Sequence, residues 1–129
     1  MLPGTNRAAD RFARASFYIN ACRQTSDPRE SVADVFSVMR NVGVPRGITT
    51  PGQPNISSTI WRTVADQKHR VYFFENTYSP SVVWVRFADL DFAPESGVQK
   101  LQLDGEPDLA GDQTAGFRPA EPFRFLRDR

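Results

Sequence analysis

The sequence predicts an α+β fold made of two helices, then a three-stranded antiparallel meander, then an extended tail. Apolar residues recur at spacings of three and four over residues 6–22 and 28–42, as in helices with one buried side. β-Branched and aromatic residues then dominate residues 59–64, 71–76 and 82–87, and the gaps between these segments suit hairpin loops. After the third segment, glycines and prolines interrupt every regular pattern.

The first predicted helix has an apolar stripe formed by Phe12, Ala15 and Ile19, and we expect that side to be buried. Arg11 and Arg14 lie on a neighbouring face of the same helix. The stripe therefore predicts which side of the helix packs against the rest of the chain.

The second predicted helix has clear signals at both ends. Asp27 can cap it, Pro28 suits the first helical position, and Glu30 stands where a capping-box acid reaches back. Gly43 is a natural stop. Closely spaced glycines and prolines over residues 43–54 then predict a long surface connection.

The predicted strands are apolar on both faces in two places, at residues 72–74 and 82–85. A strand with two apolar faces needs cover on both sides. Because two short helices can cover one face only, the other face calls for a second sheet or a partner chain. We therefore expect two regions, a folded domain over 1–93 that is incomplete by itself and an extended or flexible arm over 94–129.

The composition narrows the classes of function. The chain has sixteen Lys and Arg and fifteen Asp and Glu, so its net charge is close to zero. This argues against a protein that binds nucleic acids or anionic membrane surfaces. No apolar run reaches the roughly 20 residues that span a bilayer, and no secretory signal is visible at the start. The single cysteine, Cys22, excludes an internal disulfide and a cysteine-rich metal site. No cofactor is expected, and the compartment stays open.

Several segments together resemble the choloylglycine hydrolase family, which includes bile-salt hydrolases and penicillin V acylases and belongs to the N-terminal nucleophile hydrolases. The resemblance runs from residue 1 to about residue 92 and concerns both the order and the spacing of the segments. They are Leu2-Pro3-Gly4, Arg11-Phe12 with Arg14-Ala15, residues 31–42 running into Val44-Pro45-Arg46-Gly47, and the strand pair 58–63 and 71–75. The resemblance implies the C-terminal portion of a four-layer αββα sandwich.

Enzymes of this family hydrolyse a non-peptide C–N amide bond through an N-terminal cysteine whose own α-amino group serves as base. By motif position, the resemblance implies that Arg11 is the arginine that approaches the cysteine sulfur, where a fixed positive charge favours the thiolate. From periodicity alone, an exposed helix arginine is the favoured interpretation of Arg11. Arg14 is expected to be a structural ion-pair partner, and Thr5, where family members often carry aspartate, can cap the helix but supplies no charge.

Four other residues have simpler interpretations. Cys22 is not N-terminal, so we expect a packed thiol near a helix end and not a nucleophile. His69 is expected to be a solvated turn residue, with a role as base or metal ligand a remote alternative. Trp61 and Trp84 are expected to be core or interface aromatics.

The sequence thus predicts a C-terminal fragment of a linear-amide hydrolase that supplies Arg11 but lacks the nucleophile, so the isolated chain should be inactive. Expected partners are a missing N-terminal half that carries the cysteine, an amide substrate in the complete enzyme, and further copies of the chain in a homo-oligomer. The alternative is a non-enzymatic binding or assembly module on the same scaffold, which would use its aromatic tail to dock. Nucleic-acid binding ranks third.

Overall fold

The computed structural model describes residues 1–47, 52, 58–104 and 108–125. In these ranges two α-helices precede all the strands, α1 (Ala8–Ala21) and α2 (Pro28–Asn41). The strands that follow are β1 (Trp61–Asp66), β2 (Val71–Asn76), β3 (Val82–Arg86), β4 (Gln99–Lys100), β5 (Gly111–Asp112) and β6 (Arg118–Pro119). Half of the predicted connection, residues 48–51, 53 and 54, lies outside the described residues.

The main sheet has the strand order β1-β2-β3-β5. The predicted meander is confirmed, since β1, β2 and β3 pair antiparallel. β5 was not predicted; it joins the edge of β3 in parallel, with Val83 opposite Gly111. β4 and β6 form a separate two-stranded antiparallel pair. The boundary between 1–93 and 94–129 stays a prediction.

Helix α2 begins at the predicted cap, but the predicted capping box is wrong, because the Asp27 N–H donates to Thr25 Oγ1 and Glu30 does not reach back to it. The Asp27 carboxylate accepts a hydrogen bond from the Glu30 backbone N–H at 2.9 Å, and Pro28 occupies the first turn. The helix ends at Asn41, and its buried face places Phe36 edge-on against Phe73 of β2, with ring centroids 6.3 Å apart. This contact joins the helix layer to the sheet.

The two faces of the sheet differ in what covers them. On the side of α2, Val64 of β1 is buried and Phe73 packs beneath Phe36. Because side chains alternate along a strand, Trp61 and Tyr72 belong to the opposite face. Trp61 is 58% exposed there. That face is therefore only partly covered by the described residues.

The chain beyond β3 covers part of the second face. Leu103 and Leu109 line a cavity of 270 Å³ together with Phe74 and Val83. Near β1, however, the aromatic surface stays open. The second face of the sheet is thus covered near β3, and it lacks the expected cover near β1.

The prediction for α1 was wrong about which side is buried. Phe12 is 75% exposed and Ile19 63% exposed, whereas Arg14 is 9% exposed. The physical reason is that the side of α1 that faces the rest of the described chain carries Arg11 and Arg14, whose hydrogen bonds go to the Val42, Pro3 and Thr5 carbonyls. This orientation leaves the apolar stripe mostly in solvent. The stripe is left free to contact another chain.

The chain also exposes more surface than a complete domain would. Its accessible surface is 10440 Å², whereas a compact monomer of 14.5 kDa exposes about 6,900 Å². No helix among the described residues is both long and apolar enough to cross a bilayer.

Candidate active site around Arg11

Arg11 lies in the first half of α1 and reaches the end of α2. Its Nε–H donates a hydrogen bond to the Val42 carbonyl at 2.7 Å, and the guanidinium is half-buried. Val42 directly follows the last residue of α2, so its carbonyl carries part of the negative end of the helix dipole. Within the described residues, the two terminal nitrogens of Arg11 donate no hydrogen bond. Arg11 is thus held through its Nε, and its two terminal nitrogens stay available to another acceptor.

Arg14 fixes the segment that precedes α1. Its Nη1 donates to the Pro3 carbonyl at 2.8 Å and to the Thr5 carbonyl at 2.9 Å. Among the described residues no carboxylate lies within ion-pair distance of Arg14, so the expected ion pair was wrong. The structural role is confirmed but works through backbone carbonyls, because the chain folds Leu2-Pro3-Gly4 back over the helix.

Thr5 does not cap α1, because the N-cap residue is Arg7, which has no side-chain cap hydrogen bond, and Thr5 lies two residues before it. Its Oγ1 accepts a hydrogen bond from the Arg7 backbone N–H at 3.2 Å and donates one to the Asp10 carboxylate. Asp10 lies in the first turn of α1, where a negative charge is favourable. The carboxylate of Asp10, five residues further along the chain, therefore lies next to the Thr5 hydroxyl.

A buried charge cluster stands on the other side of Val42. Glu75 of β2 is 8% exposed and lies between two arginines. Arg40 of α2 donates to Oε1 through Nη2 at 2.7 Å and through Nε at 2.9 Å, and Arg62 of β1 donates to Oε2 at 2.8 Å. Burial by itself would raise the pKa of the Glu75 carboxyl, but the hydrogen bonds from Arg40 and Arg62 and their charges outweigh it, so the pKa lies below its ordinary value.

Little in the sequence indicates this cluster. Glu75 follows an apolar run and shares the helix-facing side of β2 with Phe73. A carboxylate at the inward-facing position of such a strand is the one local signal, since a buried charge requires partners. Its partners are 35 and 13 residues away, so the pairing itself depends on the fold.

Cys22 and His69 lie away from Arg11. Cys22 follows α1 as a half-buried free thiol, which confirms the expectation of a packed cysteine. His69 lies in the turn between β1 and β2, where its Nδ1 is 2.7 Å from the Asp66 Oδ2. The backbone and side chain of His69 both hydrogen-bond Asp66 and hold the pKa of that carboxyl below its ordinary value. The turn position of His69 is confirmed.

The two tryptophans occupy different environments. Trp84 of β3 is half-buried, 5.9 Å from the Phe73 ring, and so belongs to the core. Trp61 stands on the open face of the sheet. No group of three or more His, Cys, Asp or Glu within the described ranges is placed to hold a metal ion.

The sequence and the fold of this chain are similar to those of known amide hydrolases. The model of the linear amide C–N hydrolases, choloylglycine hydrolase family, matches residues 1–103. A penicillin V acylase of Pectobacterium atrosepticum is 42% identical, in an alignment that covers 97% of this chain and 37% of that protein. The solved structure of penicillin V acylase from Agrobacterium tumefaciens superposes with a TM-score of 0.88 at 52% identity, covering 98% of this chain and 41% of that one.

These comparisons confirm the predicted α+β fold class and extend the similarity beyond residue 92. The chain spans about two-fifths of the length of the relatives it matches.

Proposed function

Because the chain belongs to the choloylglycine hydrolase family of linear amide C–N hydrolases, we propose that it forms the C-terminal part of an enzyme that cleaves a non-peptide amide bond. Penicillin V is the first candidate substrate, since relatives at 42% and 52% identity are penicillin V acylases. Conjugated bile salts and acyl-homoserine lactones are further candidates. In this proposal a second segment, outside these 129 residues, supplies the nucleophilic cysteine.

The hydrogen bond from Arg11 to Val42 carries the proposal. It fixes the guanidinium at Nε while the terminal nitrogens stay available to a sulfur atom or an anionic intermediate. A guanidinium keeps its positive charge throughout the accessible pH range, so it would lower the pKa of a nearby cysteine thiol. The thiolate would attack the amide carbonyl, the amine would leave with a proton from the cysteine's own α-amino group, and water would then hydrolyse the thioester.

Cys22 does not fit the role of nucleophile. It follows α1, eleven residues after Arg11, which corresponds to about 16 Å along a helix axis. The side chain of a helical residue also leans toward the N-terminus, so Arg11 points away from Cys22. The pair would be too far apart for a guanidinium to stabilise this thiolate.

The exposed surface supports the involvement of a second segment. An accessible area of 10440 Å² exceeds the value for a compact monomer by about half. The excess includes Trp61 on the open sheet face and Phe12 and Ile19 on α1. We propose that the open sheet face receives the missing part of the domain, while the stripe on α1 is available for contact between copies of the chain.

The test compares the isolated chain with a mixture. The chain is assayed for release of phenoxyacetate from penicillin V, first alone and then mixed with the N-terminal part of a related penicillin V acylase. We expect no turnover by the isolated chain, turnover by the mixture, and unchanged turnover when the mixture carries Cys22→Ala. Turnover by the isolated chain that Cys22→Ala abolishes would overturn the proposal that the nucleophile comes from elsewhere.

A non-enzymatic assembly module is the second candidate function. The observation that favours it is the pair Phe123 and Phe125 near the end of the chain, which stand 81% and 85% exposed with their rings in edge contact. An upstream reading frame that encodes an N-terminal-type cysteine segment would favour the hydrolase. A chain that binds the N-terminal part without turnover would favour the module.

A further inference from the structure

Three residues connect Arg11 to the buried charge cluster, namely Val42, Gly43 and Val44. Val42 accepts the hydrogen bond from Arg11. Gly43 donates its backbone N–H to the Arg40 carbonyl at 3.2 Å. These residues, which we name the 42–44 turn, lie between the arginine of the proposed site and the cluster around Glu75.

Arg62 packs directly against this turn. A Cβ atom added at Gly43 would stand 2.7 Å from the Arg62 Nη2, closer than real Cβ contacts, and 3.3 Å from the Arg40 carbonyl oxygen. A side chain at position 43 would therefore have to displace the Arg62 guanidinium. The path of the 42–44 turn depends on where the Arg62 guanidinium lies.

The guanidinium of Arg62 in turn depends on Glu75. Its Nη1 is bonded to Glu75, while its Nε is buried and has no hydrogen-bond partner among the described residues. A buried arginine that loses its carboxylate has to find another acceptor or move toward water. Arg40, at the end of α2, would lose both of its hydrogen bonds to the Glu75 Oε1.

We propose that Glu75 is a positioning residue for Arg11. By holding Arg40 and Arg62 on one side of the 42–44 turn, it sets the place of the Val42 carbonyl and hence of the Arg11 guanidinium. The inference rests on the proposed function, because it gives Arg11 a defined place that the reaction needs. Glu75 itself stays in the cluster and does not touch the reacting atoms.

The first test follows Arg11 directly in the full chain. Exchange of the Arg11 Nε–H with water is measured by nitrogen-resolved NMR, and the signal is assigned by its loss in Arg11→Lys. Loss of a hydrogen bond from a charged donor should speed exchange about tenfold or more in Glu75→Gln. Asp112→Asn, which breaks the Arg86–Asp112 pair at 2.8 Å on the β3–β5 edge, is the matched control and should leave the exchange rate unchanged.

Gly43→Ala provides an independent variant that keeps every charge. It should speed the same exchange by displacing Arg62 against the turn, even if Glu75→Gln does not fold. An unchanged Arg11 signal in a folded Glu75→Gln chain, or in Gly43→Ala, would overturn the proposal. This result is independent of turnover, so it separates failure of the positioning role from failure of the proposed function.

The second test uses the reconstituted enzyme. Glu75→Gln should lower kcat about tenfold to a hundredfold with little change in KM, because a displaced catalytic group costs rate more than binding. In an Arg11→Ala background the same substitution should have no further effect, since residues that act through one another are not additive. Equal losses in both backgrounds would indicate a purely structural role and contradict the proposal.

Discussion

One face of the four-stranded sheet packs beneath α2, where Phe36 meets Phe73 and Glu75 is held between two arginines. The opposite face presents Trp61 and Tyr72 of β1 and β2, and the Trp61 indole is largely in solvent. The first face is thus completed by this chain, with its buried carboxylate satisfied on both oxygens. The second face is covered near β3, where Val83 and Val85 are buried, but near β1 it carries aromatic residues that the described residues leave exposed.

This difference indicates that the two faces of the sheet have different roles, one in the stability of the chain and the other in binding to a partner. Residues on the helix-covered face should decide whether the chain folds, because their burial is complete within the chain. Residues on the open face should decide what the chain binds, because exposed aromatic residues gain most when a partner excludes water from them. The proposed site lies at the edge of the covered face, where α1 meets the end of α2.

The largest expected effect is on the covered face. Phe36→Ala removes the ring that packs edge-on against Phe73 and should lower the free energy of unfolding by about 3 kcal/mol, as truncations of buried phenylalanines do. Urea denaturation followed by tryptophan fluorescence measures it. Phe12→Ala, the same change at an exposed position of α1, should cost less than about 0.5 kcal/mol. Equal costs for the two variants would remove the distinction between covered and open surfaces.

The next effect concerns the open face and appears in binding. Trp61→Ala should change the unfolding free energy of the isolated chain by less than about 1 kcal/mol. It should weaken binding to the N-terminal part of a related acylase by about 2 kcal/mol, roughly 30-fold in Kd. Titration calorimetry gives the Kd, and Tyr78→Ala, an exposed aromatic in the β2–β3 turn, is the control. Unaltered binding by Trp61→Ala would mean that the partner does not use this face.

A third prediction concerns pH and the buried carboxylate. The pKa of Glu75 lies below its ordinary value of 4.5 in the folded chain because of Arg40 and Arg62, so the unfolded state binds the proton more readily. Its contribution to stability is complete above pH 4.5 and is lost as the pH falls through the folded pKa. Urea midpoints from pH 7 to pH 3 should show this loss in the wild-type chain and a smaller one in Glu75→Gln. Parallel curves would contradict it.

The smallest effect is expected at an exposed ion pair. Arg86 and Asp112 join β3 to β5 at 2.8 Å, with side chains 55% and 39% exposed. Hydrogen bonds from Thr114 and Arg86 lower the pKa of Asp112 to about 2. Solvent screens this pair, so Asp112→Asn should change the unfolding free energy by less than about 1 kcal/mol. A loss as large as that of Phe36→Ala would show that β5 is essential to the sheet.

Much of the fold could be predicted because its signals are local. The cap and the first turn of α2 are predicted by Asp27 and Pro28, and each acts within one turn of the helix. The helix ends two residues before Gly43, as predicted, although Gly43 does not adopt the left-handed conformation of a glycine stop. β2 matches its predicted bounds because its apolar and aromatic residues have a strong strand preference. Such features need no knowledge of distant parts of the chain.

The remainder depends on contacts that no local pattern encodes. β5 consists of Gly111 and Asp112, which have no strand preference, and it forms because the chain returns alongside β3. The stripe of Phe12 and Ile19 was correctly recognised as apolar, but its burial depends on a surface that the described residues do not supply. Arg11 could be selected only through a family resemblance, since its link to Val42 joins residues 31 apart.

The activity of Arg11 variants tests the central claim most directly. In the enzyme reconstituted from this chain and the N-terminal part of a related acylase, Arg11→Ala should lower kcat/KM for penicillin V about a hundredfold or more and shift the acidic limb of the pH profile upward. Arg29→Ala, at an exposed position of α2, should stay within about twofold of the wild type. If Arg11→Ala is as active as Arg29→Ala, Arg11 is an ordinary helix arginine and the proposed site is wrong.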